Sequence, residues 1–305
     1  MGRNGPADEK PTALAMSPLG GVARPLRTTL AMISFSHTIF ALPFAILSAV
    51  IAARGWPDAA TLAKILLAMV GARSAAMAHN RLVDREFDAA NPRTMGRALP
   101  SGRLSVNYVR AFRAVSVAVF LLAAASLNRL TLLLAPVALA VLFFYSYAKR
   151  FTSLSHLWLG ACLAMAPVGA WIAVRGNLEA VPVFLGFAVL FWTAGFDVIY
   201  ALQDEAYDRA VGLHSLPARL GTRGALVVSA VFHGAMVALL FAAWRAAGGG
   251  WLFAVGIVLA TGALLYQHAI VRPGDLSRVN AAFFTANGFV SLALAVCGIA
   301  DVLIR

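Results

Sequence analysis

Nine apolar runs, each close to the length of a membrane-crossing helix, recur along this chain. They fall at residues 31–53, 59–79, 108–127, 130–147, 154–174, 181–202, 225–244, 251–270 and 281–302. A helix needs about 20 residues to cross a hydrocarbon layer. No water is available there for backbone N–H and C=O groups, so such runs fold as helices that bond internally. Scarcity of charge excludes a soluble core: 12% of the residues are charged and 61% are hydrophobic, where soluble domains average roughly 25% charged. The runs predict an all-α polytopic membrane protein, a bundle of nine transmembrane helices. Segment 1–25 mixes charge with Pro6, Pro11, Pro18, Gly20 and Gly21. It has no apolar core and is expected to be a disordered cytoplasmic tail. The remainder, 26–305, reads as one transmembrane domain. Its first run is too long for a signal-peptide core and no small-residue cleavage site follows it, so that run is expected to stay in the mature protein.

Basic residues orient the bundle, because Lys and Arg gather in cytoplasmic loops and flanks. Of the 25 Lys and Arg, eighteen fall on the side of the N-terminus and of the loops after runs 2, 4, 6 and 8. Six fall opposite (Arg54, Lys64, Arg129, Arg175, Arg245 and Arg305), and Arg73 lies within a run. A multi-pass protein of the inner, cytoplasmic membrane is predicted, with its N-terminus inside. The net charge of +12 is dispersed through loops and forms no basic helix or dense patch, so nucleic acid is not expected as a partner. Cys162 and Cys297 sit in apolar stretches without Cys-x-x-Cys spacing and read as buried thiols.

Against this background the carboxylates stand out. There are 13 Asp and Glu in all, and two clusters end apolar runs: Asn80-x-x-x-Asp84-x-x-x-Asp88 after run 2, and Asp197-x-x-Tyr200-x-x-x-Asp204-x-x-x-Asp208 after run 6. A charge at mid-bilayer costs at least ~2.5 kcal/mol, so recurring clusters near hydrocarbon need a reason, and bound metal is the first candidate. Residues four apart share one helical face about one turn apart, which makes Asn80, Asp84 and Asp88 a single polar stripe. Both stripes lie on the predicted cytoplasmic face and can meet around one cavity. Their oxygens suit Mg²⁺, which is commonly shared between one or two protein carboxylates and substrate phosphates. Asn80, Asp84, Asp88, Asp204 and Asp208 are therefore candidate metal ligands, with room for a diphosphate between them. Solvated charges ending a helix explain either cluster alone, but explain the matched pair less well.

Cations flank the clusters. Arg93 and Arg97 occur in Asn91-Pro-Arg-Thr-Met-Gly-Arg97, and Tyr145-Ser-Tyr-Ala-Lys149-Arg150 follows run 4. All could hold phosphate oxygens, and Tyr145 and Lys149, four apart, could reach one anion together. Loop topology explains each cation taken alone equally well.

These residues carry a resemblance. The aspartate motif from Asn80 to Asp88, the stretch from Arg93 to Gly102, the segment from Tyr145 to Arg150 and the motif from Tyr200 to Asp208 occur in the order found in the UbiA superfamily of intramembrane aromatic prenyltransferases. The chain resembles that superfamily over nearly its whole length. Phe35-Ser-His-Thr-Ile-Phe-Ala-Leu-Pro43 and Gly212-Leu-His-Ser-Leu-Pro-Ala-Arg-Leu-Gly221 are most similar to bacterial 4-hydroxybenzoate polyprenyltransferase-like proteins. Relatives often carry a lysine near position 214; this chain has His214, with Arg219 as a candidate substitute.

The resemblance implies a polyprenyl diphosphate bound through Mg²⁺, its tail in an apolar cavity open laterally to the bilayer. The prenyl group passes to a small aromatic acceptor. That acceptor is expected to be 4-hydroxybenzoate, as in ubiquinone synthesis, with a dihydroxynaphthoate of the futalosine route to menaquinone as the alternative. Asp84, Asp208, Lys149 and Arg73 are the expected catalytic residues. Asn80, Arg93, Arg97, Tyr145, Lys149, Arg150, Tyr200 and Arg73 are expected to bind diphosphate or acceptor. A carboxylate or the released diphosphate could take the ring proton. Arg73, seven residues before Asn80 on the same face, either grips the acceptor's carboxylate or pairs with an aspartate. His37 reads as a packing residue, and Pro43 and Pro167 as helix kinks. Haem O synthase, digeranylgeranylglyceryl phosphate synthase and phytyl transferases share the aspartate motifs, so the motifs leave the acceptor open. A transporter is the alternative from another class, since the stripes recur four helices apart. Their place at the cytoplasmic end, not at the midplane, favours diphosphate chemistry.

Overall fold

The computed structural model describes residues 27–32 and 38–305. The expected tail at 1–25 and His37 lie outside the described residues. Among the described residues nine long helices follow in order: α1 Thr38–Ala53, α2 Ala59–Val83, α3 Val106–Leu127, α4 Arg129–Ala148, α5 Ser155–Arg175, α6 Ala180–Ala201, α7 Leu216–Ala246, α8 Trp251–Ile270 and α9 Asn287–Ile304. Among the described residues eight helices are long and apolar enough to cross a membrane. α1, with 16 described residues, is the shorter ninth, reaching about 24 Å at ~1.5 Å per residue. No strand occurs among the described residues, and one isolated bridge, Arg272 to Asp275, closes the turn before α9. The protein is a helical polytopic membrane protein.

Short polar side chains set where the helices begin. Asp58, Ser105, Asn128 and Ser215 each accept a hydrogen bond from a first-turn amide of α2, α3, α4 and α7, satisfying donors with no helical partner. Asn128 also donates to the carbonyls of Ile172 and Ala173, which ties the start of α4 to the end of α5. At that end Gly176 takes a left-handed conformation (φ 72°), the usual glycine stop.

Packing separates a lipid belt from a core. Leu122, Leu133, Val227, Val258, Leu265 and Val296 are more than half exposed, a pattern that suits hydrocarbon and not water. Inside, Phe40, Phe44, Trp192, Phe196 and Phe283 form a continuous ring cluster in edge-to-face and tilted contacts that aromatic quadrupoles favour. The Trp192 indole donates to Asn287 Oδ1 at 2.9 Å. α6 packs on α5 and α7, α2 on α3 and α4, and α1 on α5 and α9. Gly160 sits where α5 crosses α6, and a Cβ there would lie 2.2 Å from the Leu190 carbonyl oxygen.

Pro43 and Pro167, expected as kinks, lie inside α1 and α5, which continue past them. Helical geometry is interrupted at Gly221 (φ 68°, ψ 171°) in α7, and a π turn, Ala282–Ala286, leads into α9.

Candidate active site

α2, α4 and α6 all end at one end of the bundle, as alternating helices must, and their ends enclose a cavity of about 790 Å³. Neither acidic stripe is one continuous helix. α2 stops at Val83, Asp84 turns the chain (φ −89°, ψ 7°) and a short helix, Arg85–Ala90, carries Asp88 onward. α6 stops at Ala201, a 3₁₀ turn covers Leu202–Asp204, Asp204 turns the chain (φ −103°, ψ 2°) and Glu205–Ala210 carries Asp208. Both turns use the sparsely populated bridge conformation in which active-site residues recur. The turn re-aims the last carboxylate of each cluster into the cavity, where a straight helix would have kept the stripe on one face.

Arg73, Asn80, Asp84, Asp88, Arg93, Arg97, Tyr145, Lys149, Arg150, Tyr200, Asp204 and Asp208, the whole set expected from sequence, line this one cavity. On the α2 side the Asn80 amide donates to Asp84 Oδ2 at 2.7 Å and approaches Ser146 Oγ of α4 at 3.5 Å. Arg150 donates to the Val83 carbonyl at 3.1 Å and to Asp84 Oδ1 at 3.5 Å. Its guanidinium lies 5.0 and 5.3 Å from the Phe87 and Tyr147 ring centres, within cation–π range. Asp88 is buried, with Arg97 donating to Oδ1 at 2.6 Å and Arg81 standing 3.7 Å from Oδ2. The Thr94 hydroxyl donates to the Asp88 carbonyl and fastens the following loop.

On the α6 side Arg93 holds Asp204 with two parallel bonds, Nε to Oδ1 at 3.0 Å and a terminal nitrogen to Oδ2 at 2.7 Å. That fork joins the loop after α2 to the end of α6. Lys149 Nζ stands 3.8 Å from Oδ2 of buried Asp208. Tyr200 packs on Phe283 with ring centres 4.4 Å apart. Burial raises the Asp84 carboxyl above its ordinary range, the Asp88 charge adds to this, and Arg150 and Asn80 partly offset it.

The donor set fits Mg²⁺. Asp88 Oδ2 and Asp208 Oδ2, one from each wall, are buried and accept no hydrogen bond from the described residues, although such oxygens normally do. Among the described residues no three His, Cys, Asp or Glu side chains form a closed cage. Mg²⁺ does not ask for one, since it keeps waters and shares carboxylates with phosphate oxygens.

Several cavity residues escaped sequence reasoning. Arg81 reads as a topological charge by position, yet its side chain, 11% exposed, stands beside Asp88 in the cavity; its place directly after Asn80 was the available signal. Ser146 sits between Tyr145 and Tyr147 in a segment otherwise singled out. Asp197, named in the second cluster but given no role there, lines the cavity and pairs with His156 of α5 at 2.7 Å; His156, 41 residues away, is the partner that no spacing announces. Arg219 does not replace a lysine at position 214. It points to Ser153 Oγ at 3.5 Å, the His214 amide donates to the Lys149 carbonyl, and neither side chain lines the cavity.

Fold and cavity define a polytopic helical membrane protein with two carboxylate clusters and a ring of cations at one end. Residues 41–291 match the UbiA prenyltransferase family, and the chain belongs to that family. It is 30% identical to the 4-hydroxybenzoate octaprenyltransferase of Vibrio atlanticus, over 82% of this chain and 87% of that one. It is likewise 30% identical to that of Pseudomonas fluorescens, over 84% and 86%. Among solved structures, the apo UbiA homolog of Aeropyrum pernix superimposes with a TM-score of 0.79 at 36% identity, covering 88% of this chain and 98% of that one. The Archaeoglobus fulgidus UbiA homolog bound to DMAPP and Mg²⁺ shares the fold, with a TM-score of 0.67 at 19% identity over 88% and 99%.

Proposed function

We propose that the protein transfers a polyprenyl group from a polyprenyl diphosphate to 4-hydroxybenzoate, with Mg²⁺, at the cytoplasmic face of the inner membrane. One observation carries the reading: both carboxylate clusters and all the expected cations line a single cavity. The names of the octaprenyltransferase relatives support the acceptor, and the Mg²⁺ and DMAPP in the A. fulgidus homolog support the donor chemistry.

Asn80, Asp84 and Asp88 on one wall and Asp204 and Asp208 on the other would hold the metal. Once bound, Mg²⁺ would neutralise diphosphate charge and stabilise the leaving group. Arg93, Arg97, Lys149 and Arg150, which here bind carboxylates, can bind phosphate as well, because it presents the same forked oxygens. Tyr145 and Tyr200 add hydroxyls to that lining. As the allylic C1–O bond breaks, its electron pair leaves with the diphosphate, and these fixed donors stand where negative charge grows. Met77, Leu159, Leu163, Phe196 and Phe283 form the apolar part of the cavity and suit isoprenoid carbons. Arg73 would grip the acceptor's carboxylate with two parallel bonds, turning the ring toward C1. The ring attacks C1 and then loses a proton to restore aromaticity.

The test uses purified protein in detergent with Mg²⁺ and prenyl diphosphates of several lengths. 4-Hydroxybenzoate and 1,4-dihydroxy-6-naphthoate are offered in parallel, with mass spectrometry of the products. Prenylated 4-hydroxybenzoate is expected. Product from the naphthoate alone would move the protein to menaquinone synthesis, and a metal-independent reaction would remove the mechanism.

A further inference from the structure

Five aspartates line the cavity, and four stand against a permanent cation: Asp84 with Arg150, Asp88 with Arg81 and Arg97, Asp204 with Arg93 and Asp208 with Lys149. Asp197 differs, being met by a histidine. His156 is fully buried. The amide of Leu216, in the first turn of α7 where helix amides lack helical partners, donates to His156 Nε2 at 3.3 Å. With Nε2 used as an acceptor, the ring proton belongs on Nδ1, which donates to Asp197 Oδ2 at 2.7 Å. The other oxygen, Oδ1, accepts no hydrogen bond from the described residues, and the Asp197 side chain is 17% exposed on the cavity side.

The pair is held rigidly. Gly160 follows His156 by one turn of α5, and its missing Cβ lets that helix meet the α6 backbone at Leu190. Leu216 fixes the far side of the imidazole from a third element. Along α6, Asp197 precedes Tyr200 by one turn and Asp204 by two, so it sits on the bilayer side of the carboxylates that face the diphosphate. Asp197, Arg73 and Tyr145 all line this one cavity. The carboxylate without an arginine or lysine thus shares the region where the acceptor ring would be held.

We propose that Asp197 takes the proton lost by the aromatic ring, and that His156 is the positioning residue that aims it. The inference rests on the prenyltransferase reading above. After C1 bonds to the ring carbon, the proton on that carbon passes to Asp197 Oδ1. The C–H electron pair returns to the ring, and the carboxylate becomes a carboxylic acid that later gives its proton to water or to departing diphosphate. A carboxylate with no fixed cation also favours the positive charge that passes from the allylic carbon to the ring before proton loss. The other four carboxylates are occupied by cations and stand toward the metal and diphosphate.

The experiment uses the full-length enzyme with Mg²⁺, a prenyl diphosphate and 4-hydroxybenzoate carrying hydrogen or deuterium at the ring carbon attacked. It is read in single turnovers so that product release does not mask chemistry. Wild type should form product with no primary isotope effect; no product at all would remove the function and this inference with it. Asp197→Asn should slow ring transfer by about 10²–10⁴-fold, the range for general base catalysis, with donor KM unchanged and a primary isotope effect uncovered. Near-wild-type kcat, or a slow reaction without an isotope effect, would overturn the assignment. If Asp197→Asn does not reach the membrane folded, Asp197→Glu carries the same readout, and absence of the isotope effect there overturns it equally. His156→Ala should uncover the effect in part. His156→Gln, which can still accept from Leu216 and donate to Asp197, should restore rate; equal behaviour of the two variants would leave His156 no positioning role.

Discussion

The acidic ends of α2 and α6 use the same device and are held in different ways. Each helix stops at a bridge-region turn, Asp84 in one and Asp204 in the other, and sends a short helix onward with a buried aspartate. The α2 end is supported largely from its own neighbourhood: Asn80 holds Asp84, and Arg81 and Arg97 hold Asp88. The α6 end borrows its cations, Arg93 from the loop after α2 and Lys149 from the end of α4. The first wall is nearly a local structure, and the second exists only when the bundle has closed around it. Coupling of one wall to the other runs through the Arg93 fork.

The strongest way to break this comparison is to remove one carboxylate from each wall. Asp84→Ala and Asp208→Ala should both abolish turnover, a loss of at least about 10²-fold for a removed electrostatic element, while membrane insertion is kept. One variant retaining near-wild-type rates in the product assay would leave a single-walled site. Chelation of Mg²⁺ should have the same effect and be reversed by adding the ion back.

Cation removal should separate the two ends next. Arg97→Ala leaves buried Asp88 with Arg81 alone at 3.7 Å, so thermal unfolding in detergent should come earlier and turnover should fall. Arg93 is more exposed, at 44% of its side chain. Arg93→Ala should therefore spare the melting temperature and lower kcat/KM for the donor about tenfold, the scale of a charge-assisted hydrogen bond. Equal melting temperatures for the two variants would erase the local-versus-borrowed distinction.

Arg73→Lys probes the acceptor side and should act more mildly. Lysine keeps the charge and loses the fork, so KM for 4-hydroxybenzoate should rise more than KM for the prenyl diphosphate. Loss of folded protein would instead assign Arg73 to the scaffold.

The smallest effect concerns Asp84 itself. Its folded carboxyl titrates above the ordinary value, chiefly through burial, so the folded state binds that proton more tightly than the unfolded chain does. Stability is then lost as pH rises through the folded value. Asp84→Asn should flatten that slope and melt slightly later than wild type near neutral pH, while remaining inactive. An earlier melt would show that the ionised carboxylate is stabilising.

Much of this was legible because hydrocarbon is an intolerant solvent. Apolar runs of spanning length become helices, and the expected boundaries of α4, α5, α6 and α8 lie within about two residues of those observed, the normal latitude at helix ends. The candidate residues were legible for the same reason, since a chain that avoids carboxylates shows where it keeps them. The breaks were not. Asn80, Asp84 and Asp88 have helical spacing, yet Asp84 ends α2, because Arg150 and Asn80 bind its side chain where the chain turns. Gly221, the last residue of the Gly212–Gly221 motif, proved to be a break inside α7, which that motif did not announce.

By itself, then, the sequence determined an all-helical membrane bundle, the two aspartate clusters and the cations that accompany them, because each follows from solvent exclusion or from periodicity within one segment. Only the tertiary structure decided which cation meets which carboxylate, how the helix ends re-aim Asp88 and Asp208, and that Asp197 faces His156 instead of an arginine. The pairings of Asp84 with Arg150, Asp197 with His156, Asp204 with Arg93 and Asp208 with Lys149 join residues 41 to 111 positions apart, and no local spacing encodes them. They are fixed by how closely helices pack, at Gly160 against Leu190 as elsewhere.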